Sequence, residues 1–312
     1  MFPERAFKIR LEFRMSSEIR ELVVISGKGG TGKTSITASF AVLAQGEAIL
    51  ADCDVDAADL HLVLVPEIIQ TTDFISGREA IIRNDVCTSC GLCEELCRFD
   101  SVTHKTDEVG RVIYTIEPTA CEGCGVCVRF CPAKAIDFPD RLCGKWMVSD
   151  TRCGTMVHAR LAAGGENSGK LVSLVRSEAR KLAETRNHSM IITDGPPGIG
   201  CAVIASITGA SEVLVVTEPT VAGEHDLERV LALAHHFEVP AWVCVNKWDI
   251  NPEVTERIEK RAESMGARVA GRVRYDRAVT QAQIQSKAVV EIDADCAEDI
   301  RKVWQTLQNT KQ

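Results

Sequence analysis

The stretch GKGGTGKT, residues 27–34, decides the fold of this 312-residue chain. It lies between an apolar run typical of a strand, residues 22–25, and a run typical of a helix, residues 35–45. A glycine-rich turn between a strand and a helix directs several backbone N–H groups and the positive helix end toward one anion. The stretch therefore predicts a phosphate-binding loop, with contacts from Gly27, Gly29, Gly30, Thr31, Gly32, Lys33, Thr34 and Ser35.

Two kinds of phosphate site share this glycine spacing. In the P-loop pattern, Lys33 would reach the terminal phosphates and the hydroxyl of Thr34 would bind Mg²⁺. The looser dinucleotide fingerprint also fits, with Asp52 about twenty residues on as a ribose-binding acid. The Lys33-Thr34 pair favours the P-loop, because a dinucleotide site does not need it. So does MIITDGPPG, residues 190–198, a strand that ends in Asp194 and predicts a Mg²⁺-binding carboxylate beside a mobile turn.

With ADCDVDAADLH, residues 51–61, these segments resemble the MinD/ParA family of deviant-Walker P-loop ATPases, relatives of the nitrogenase iron protein and of Mrp-type iron-sulfur carriers. The match covers roughly residues 21–70 and 187–291. The resemblance implies ATP, Mg²⁺ and a nucleotide-dependent homodimer, or a heterodimer with a related ATPase. It also implies that Lys28 reaches the partner subunit's phosphates, that Asp54 positions the hydrolytic water, and that Asp52 and Asp194 lie near Mg²⁺. A solvated loop lysine is the alternative for Lys28.

The base contact is predicted from NKWD, residues 246–249, which follows a predicted strand. The motif matches the base-reading NKxD of P-loop GTPases. In MinD-like ATPases an asparagine at this place reads adenine, so Asn246 is the expected base contact. Asp249 keeps GTP open as an alternative to ATP.

Eight of the fourteen cysteines form two copies of CxxCxxCxxxC. This spacing is typical of bacterial two-cluster ferredoxins, in which the fourth cysteine of each run completes the other run's cluster. We therefore predict two 4Fe-4S clusters, one held by Cys87, Cys90, Cys93 and Cys131, the other by Cys121, Cys124, Cys127 and Cys97. Zinc is the rival, because CxxC pairs also build tetrahedral sites, but the third cysteine of each run disfavours it.

Two positions near these motifs depart from or extend the pattern. Arg98 stands where the first cysteine run would often have proline, which affects the local backbone rather than the ligands. Cys201 follows Asp194 at an offset that resembles a cluster-ligating cysteine of the nitrogenase iron protein. Packing under the switch loop is the favoured role for Cys201, and a third, intersubunit cluster is the alternative.

The remaining pattern predicts a P-loop doubly wound, mainly parallel α/β sheet with helices on both faces. Strands at residues 213–216 and 241–245 alternate with helices at 226–237 and 253–265. We expect an N-terminal extension (1–20), a discontinuous ATPase domain (21–70 and 141–312) and an inserted α+β ferredoxin-like domain (71–140) with strands at 111–116 and 135–138. Residues 166–170 precede a helix at 171–184, and their role stays open. An apolar stripe at residues 298–307 favours packing on the sheet over membrane binding, because its polar face is not basic.

Composition restricts the partners. A net charge of −8 argues against nonspecific nucleic-acid binding, which needs clustered Lys and Arg. No apolar run approaches the roughly 20 residues of a membrane span. Residues 1–20 lack the apolar core of a signal peptide, so a cytoplasmic location is expected, where thiols stay reduced.

Two functions remain open. The first is a dimeric, ATP-binding and ATP-hydrolysing iron-sulfur protein that couples nucleotide state to the clusters, for electron transfer or metal-cofactor assembly, with an unidentified redox or client protein. The second is a MinD/ParA-like switch or positioning protein whose clusters are redox-sensing or structural. Eight ferredoxin-spaced cysteines exceed what structural stapling requires, which favours the first.

Overall fold

The computed structural model describes residues 19–162, 165 and 167–309. The expected N-terminal extension therefore lies outside the described residues except for Ile19 and Arg20, and so does Glu166 of the 166–170 segment. The strands are β1 (Arg20–Ser26), β2 (Ala48–Asp52), β3 (Glu67–Arg78), β4 (Ile81–Ile82), β5 (Val102–Thr106), β6 (Val112–Ile116), β7 (Ile136–Asp137), β8 (Asp140–Thr151), β9 (Gly154–Leu161), β10 (Met190–Pro197), β11 (Glu212–Thr217), β12 (Ala241–Asn246) and β13 (Arg268–Val273). The helices are α1 (Lys33–Leu43), α2 (Leu60–Leu64), α3 (Leu92–Leu96), α4 (Val126–Phe130), α5 (Ser168–Arg186), α6 (Cys201–Ile207), α7 (Val221–His236), α8 (Pro252–Ser264), α9 (Ala278–Ile284) and α10 (Asp295–Asn309).

One large sheet organises the molecule. In the part of the chain that the structure describes, it has nine strands in the order β13-β12-β11-β1-β10-β2-β9-β8-β3. Neighbouring strands from β13 to β9 are parallel, and β8 and β3 extend the sheet antiparallel. The predicted mainly parallel α/β sheet is therefore confirmed.

Helices cover both faces of this sheet, which explains why its central strands are continuously apolar. Successive side chains of a strand point to opposite faces. Leu22 and Val24 of β1 pack in the core that contains α1 and α10, whereas Val23 and Ile25 pack with α6, α7 and α8. Each such buried side chain stabilises the fold by roughly 1.5–3 kcal/mol relative to an exposed one.

The last helix packs against the sheet, as its sequence favours. Ile300, Val303 and Leu307 of α10 are buried in the core, and the Trp304 ring lies 5.0 Å from that of Phe40, centroid to centroid. The apolar stripe is thus used in packing. Among the described residues, no helix has the length and apolar character needed to cross a membrane.

The cysteine-rich segment leaves the large sheet through an antiparallel stem made by β3 and β8. Their register runs from Glu67 opposite Asp150 to Arg78 opposite Asp140. The domain boundary expected between residues 70 and 71 falls inside β3, because this strand continues in the sheet to residue 78. Residues 79–139 connect the ends of these two strands.

The two halves of the inserted segment repeat one backbone plan. Gly91 and Gly125, each directly after a CxxC pair, adopt φ values of 78° and 70° and lead into the short helices α3 and α4. Cys97 and Cys131 end these helices in extended conformation. β4 pairs with β7 and β5 with β6, so the strands predicted at 111–116 and 135–138 correspond to β6 and β7.

Candidate functional site

Three of the predicted site segments meet because their strands are neighbours. β10 lies between β1 and β2, with Val24 opposite Asp194 and Asp194 opposite Asp52. The carboxyl ends of these parallel strands face the same edge of the sheet, where open α/β sheets bind ligands. The loop at residues 27–34 therefore starts beside both acidic segments.

Lys33 is the centre of a buried charged cluster at this edge. Its Nζ lies 3.0 Å from Oδ1 of Asp194 and 3.5 Å from Oδ2 of Asp54. The hydroxyl of Thr34 donates a hydrogen bond of 2.8 Å to Oδ2 of Asp194. Asp52 completes the cluster and is fully buried, as is Asp194. The structure thus brings together the predicted phosphate-binding lysine, the Mg²⁺-binding hydroxyl and all three predicted carboxylates.

The pKa values of these groups reveal an excess of buried negative charge. Burial, followed by the neighbouring Asp194, raises the pKa of Asp52 well above its ordinary value. Burial also raises the pKa of Asp54, although Lys33 opposes the shift. Burial opposes the charge on Lys33, but Asp194 and Asp54 outweigh it and raise the Lys33 pKa. A bound cation would relieve this excess.

Two unsatisfied oxygen atoms mark the same edge. Among the described residues, Oγ1 of Thr31 and Oδ2 of Asp52 are buried side-chain atoms without a hydrogen-bond partner. Buried polar groups normally have one, so such atoms point to a ligand or solvent. Mg²⁺ prefers oxygen ligands and keeps part of its water shell. The hydroxyl of Thr34 with Asp52 and Asp194 is a donor set that fits Mg²⁺.

The phosphate loop is held by close packing at its glycines. A Cβ on Gly27 would collide with Asp226 of α7. Gly32 has a φ of 88°, and a Cβ there would collide with the side-chain amide of Asn246. That amide donates a hydrogen bond of 2.7 Å to the carbonyl of Thr31. The structure therefore places the predicted base contact, Asn246, directly against the loop.

The end of β12 makes two further contacts. Oδ1 of Asn246 accepts the Lys247 N–H at 3.0 Å, so both polar ends of this side chain bind backbone groups. Oδ1 of Asp249 accepts the Tyr275 N–H at 2.6 Å. Ser35, the last predicted loop contact, accepts a hydrogen bond of 3.1 Å from the amide of Gln283.

Two residues at the site, Thr37 and Glu218, were not predicted from the sequence. Thr37 donates a hydrogen bond of 2.8 Å to Oδ1 of Asp194. Thr37 lies one turn after Thr34 on the same face of α1, and this spacing could have predicted the contact. Glu218, directly after β11, lies 2.5 Å from Nζ of Lys28 through Oε1 and 3.2 Å from Nζ of Lys247 through Oε2. Its signal was an acid at the carboxyl end of a strand, but nothing in the sequence placed that strand beside β1.

The cysteines of the inserted segment surround two cavities. One cavity is lined by Cys87, Cys90, Cys93 and Cys131, with Tyr114 and Ile136 among the other wall residues. The other is lined by Cys97, Cys121, Cys124 and Cys127, with Phe99 and Ile116. The non-atom space at each cavity is about 340 Å³, part of which is open to solvent. These quartets are the two that the ferredoxin spacing pairs by crossing over.

Several sulfurs in these quartets accept or share hydrogen bonds. The N–H groups of Ser89 and Ala135 donate to the sulfurs of Cys87 and Cys131 at 3.4 and 3.3 Å. Across the described residues, no group of three or more His, Cys, Asp or Glu side chains is arranged to hold a metal ion. A single ion draws its ligands around one point, whereas a cubic cluster spreads four thiolates around a cavity. The cysteine-lined cavities fit the second arrangement.

The scattered cysteines differ in exposure. Cys201 is exposed at the first residue of α6, so the expected packing under the switch loop is wrong. The others are buried: Cys53, Cys143, Cys153, Cys244 and Cys296.

The first strand of the parallel sheet leads into this loop, and Lys33 and Thr34 of the loop contact Asp194 on the neighbouring strand β10. This arrangement defines a P-loop nucleotide-binding protein. Comparison with known proteins gives the family. The chain belongs to the CobQ/CobB/MinD/ParA nucleotide-binding domain family, whose model matches residues 22–289. The resemblance to MinD/ParA proteins is therefore confirmed.

The relatives found by sequence include two uncharacterized proteins of Methanocaldococcus jannaschii. One is 32% identical over 235 residues, which cover 75% of this chain and 80% of that protein. The other is 26% identical over 244 residues, covering 75% and 82%.

Solved structures share the fold. A substituted form of Cyanothece McdA in complex with ATP has a TM-score of 0.56 at 16% identity, covering 94% of this chain and 97% of that one. MinD of Pyrococcus horikoshii, complexed with Mg-ADP, has a TM-score of 0.54 at 14% identity, with coverages of 94% and 97%. At these identities the similarity establishes the fold alone.

Proposed function

We propose that this protein binds and hydrolyses ATP as a dimer and couples its nucleotide state to two 4Fe-4S clusters, for electron transfer or for assembly of a metal cofactor. The observation that carries the proposal is the pair of cysteine quartets around two cavities in a chain of a nucleotide-binding family. The ATP and Mg-ADP held by the McdA and MinD structures support an adenine nucleotide here.

At the nucleotide site, the charged cluster supplies the parts of a phosphoryl-transfer centre. Lys33 would exchange its contact with Asp194 for the terminal phosphates, and Thr34, Asp52 and Asp194 would hold Mg²⁺. Bound Mg²⁺ neutralises charge that develops on the transferring phosphoryl group. Asp54, close to Lys33, would orient the attacking water and accept its proton. Asn246 keeps the loop in the shape that presents its N–H groups to the phosphates.

At the inserted segment, the two cysteine quartets would each hold one cluster. When bound, a 4Fe-4S cluster supplies one-electron transfer at low potential. The N–H donors of Ser89 and Ala135 stabilise negative charge on the sulfurs of Cys87 and Cys131. Reduction of a bound cluster, which adds negative charge, would therefore be less unfavourable than it would be without these donors. The hydroxyl of Ser101, 3.1 Å from the Cys97 sulfur, acts in the same way at the other quartet.

A hydrogen-bonded route links the two sites and supports coupling. β2 ends in Asp52 and pairs with β9, which pairs with β8 of the stem. Arg141 of β8 is buried and donates a hydrogen bond of 3.1 Å to the carbonyl of Cys121, a residue of the second quartet. Cys143 of the same strand donates from its sulfur to the carbonyl of Ser76 on β3 at 3.0 Å. A shift of the sheet at Asp52 would thus reach a cluster-binding loop.

Redox titration tests the coupling. EPR-monitored titrations of the anaerobically purified protein should give different cluster midpoint potentials with ATP and with ADP. If one redox state favours ATP over ADP tenfold more than the other does, the one-electron potential shifts by about 59 mV. Lys33→Ala, which removes the phosphate-binding ammonium, is the control and should show no nucleotide-dependent shift. Identical midpoint potentials with ATP and with ADP in the native protein would contradict the coupling. They would favour a switch protein with redox-sensing or structural clusters.

Size-exclusion chromatography tests the dimer. Lys28→Ala should abolish ATP-dependent dimerisation, because the lysine would no longer reach the partner's phosphates. Lys260→Ala, at an exposed position of α8, is the control and should dimerise normally. Unchanged dimerisation of Lys28→Ala would make Lys28 an ordinary solvated lysine.

A further inference from the structure

We propose that Glu218 is the counter-ion that holds Lys28 within its own subunit and must release it before the dimer forms, so that Glu218 opposes nucleotide-dependent dimerisation. This inference rests on the proposed function, because it concerns the position of Lys28 before it reaches the partner's phosphates. The family resemblance supplies a role for Lys28 and none for Glu218, and the assignment to Glu218 comes from the contacts of this chain.

Glu218 joins three segments at the nucleotide edge of the sheet. It follows β11, the neighbour of β1, and its two carboxylate oxygens contact Nζ of Lys28 at 2.5 Å and Nζ of Lys247 at 3.2 Å. Lys247 also donates to the carbonyl of Gly30 in the phosphate loop at 3.3 Å. One carboxylate therefore fixes both lysines against the loop.

The environment of Glu218 keeps it ionised. Burial opposes its charge, but hydrogen bonds from Lys28 and Lys247 outweigh burial and lower the Glu218 pKa. The contact with Glu218 holds the Lys28 ammonium in its own subunit, and the ammonium must extend away from this position to reach a phosphate of another subunit. Transfer of Lys28 to the partner site therefore requires the pair with Glu218 to break, and the carboxylate then retains Lys247.

The size of the effect follows from exposure. The side chain of Lys28 is 34% exposed and that of Glu218 is 16% exposed, so solvent screens the pair in part. Partly exposed pairs contribute modestly to stability, so removing the carboxylate charge should tighten the ATP-dependent dimer about two- to fivefold. Glu218→Gln keeps the shape of the side chain and one acceptor oxygen while removing its charge.

The chain offers a matched control in Glu259. Its ion pair with Arg272 has the same 2.5 Å distance, and the two side chains are 16% and 35% exposed. Glu259 lies on α8, and its partner Arg272 lies on β13. Glu259→Gln therefore removes an ion pair of similar length and exposure and should leave the dimer dissociation constant unchanged.

Analytical ultracentrifugation of the full chain with ATP and Mg²⁺ measures the dimer dissociation constant. The expected order is tightest for Glu218→Gln, with native protein and Glu259→Gln weaker and equal. Glu218→Asp, whose shorter carboxylate cannot reach both lysines as well, serves as a second variant and should be intermediate. A dimer that is weakened or unchanged in both Glu218 variants, relative to Glu259→Gln, would overturn the proposal.

Lysine labelling of the nucleotide-free chain gives a separate readout. Reductive methylation followed by mass spectrometry should modify Lys28 about two- to fivefold faster in Glu218→Gln than in native protein, since its amine leaves the pair more readily. Lys260 should react equally in both. Equal Lys28 rates would also overturn the proposal. By contrast, normal dimerisation of Lys28→Ala with fast Lys28 labelling in Glu218→Gln would show that the contact exists and that the proposed role of Lys28 in the dimer fails.

Discussion

Asp52 and Asp194 lie directly opposite each other on neighbouring strands, and both side chains are fully buried. Their surroundings differ. Asp194 is bound by Lys33, Thr34 and Thr37, whereas Oδ2 of Asp52 has no hydrogen-bond partner among the described residues. Asp52 is thus the carboxylate that destabilises the nucleotide-free site and gains most from a cation.

Asp52→Asn should therefore stabilise the nucleotide-free protein and impair its activity. Removing a buried charge beside Asp194 should raise Tm by about 2–4 °C, the shift that 1 kcal/mol gives in a larger domain. ATP hydrolysis should fall by at least about tenfold, because one Mg²⁺ ligand is lost. Thermal melts with and without Mg²⁺ and ATP, together with a phosphate-release assay, measure both. Asp56→Asn, exposed in the same loop, should change neither value. A lower Tm for Asp52→Asn would contradict this account.

The sequence was sufficient for the central strands and for the local part of the site. β1 and β10 are short apolar runs that end in glycine-containing turns, and burial on both faces requires that pattern. Contacts among Lys33, Thr34 and Asp194 follow from motifs whose spacing is local and from strand ends that share one edge.

The sequence did not predict β9 or Glu218, for the same physical reason. β9 (Gly154–Leu161) contains His158 and Arg160, so it lacks a clear apolar run, and its place between β2 and β8 depends on pairing with distant residues. Glu218 meets Lys28 only because β11 lies beside β1. Strand order is a property of the whole sheet, and no short stretch of sequence encodes it.

Cysteine substitutions should separate the two quartets. Cys87→Ser and Cys131→Ser should remove the same cluster, because the two residues line one cavity although they belong to different sequence runs. Each variant should keep about half the iron and lose the same EPR signal, and Cys97→Ser should lose the other. Iron and sulfide assays with EPR of the reduced proteins measure this.

The control for these substitutions is Cys201→Ser, which is exposed and lies outside both cavities. It should retain all of the iron and both signals. If Cys131→Ser instead lost the same signal as Cys121→Ser, each sequence run would bind its own metal site and the crossed arrangement would be wrong.

Asp249→Ala should leave nucleotide preference unchanged. Oδ1 of Asp249 accepts the Tyr275 N–H, so this carboxylate positions the loop after β13. We expect tighter binding of ATP than of GTP in both proteins. The ratio of the two dissociation constants should change less than about twofold in the variant, which is smaller than the effect of one lost hydrogen bond to the base. Competition titrations with a fluorescent nucleotide measure the ratio. A selective loss of GTP binding would assign guanine recognition to Asp249.

Asn246→Ala should act differently, because its amide holds the carbonyl of Thr31 in the phosphate loop. We expect weaker binding of both nucleotides by about fivefold or more, since one buried hydrogen bond contributes roughly 1 kcal/mol. An effect on one nucleotide alone would identify Asn246 as a base contact rather than a support of the loop.

His158 should make the protein less stable in mild acid. Its side chain is 6% exposed and its Nε2 lies 2.8 Å from Oγ of Ser149. Burial, with a smaller contribution from His61, lowers the pKa of His158 from 6.5 to about 4. The folded state therefore favours the neutral ring, and the unfolded chain binds the proton more readily. The stability that depends on the neutral ring is complete above pH 6.5 and is lost as the pH falls toward 4.

At pH 5 this linkage should lower the free energy of unfolding by about 2 kcal/mol relative to pH 7.5. Asp52 and Asp54 have raised pKa values and contribute the opposite sign, but they are present in native and variant proteins alike. His158→Asn should therefore lose less stability than the native protein between these pH values, as measured by urea unfolding at each. His225→Asn removes an exposed histidine and should keep the native slope. Equal pH dependence of His158→Asn and native protein would show that His158 is protonated as easily in the folded state as in the unfolded chain.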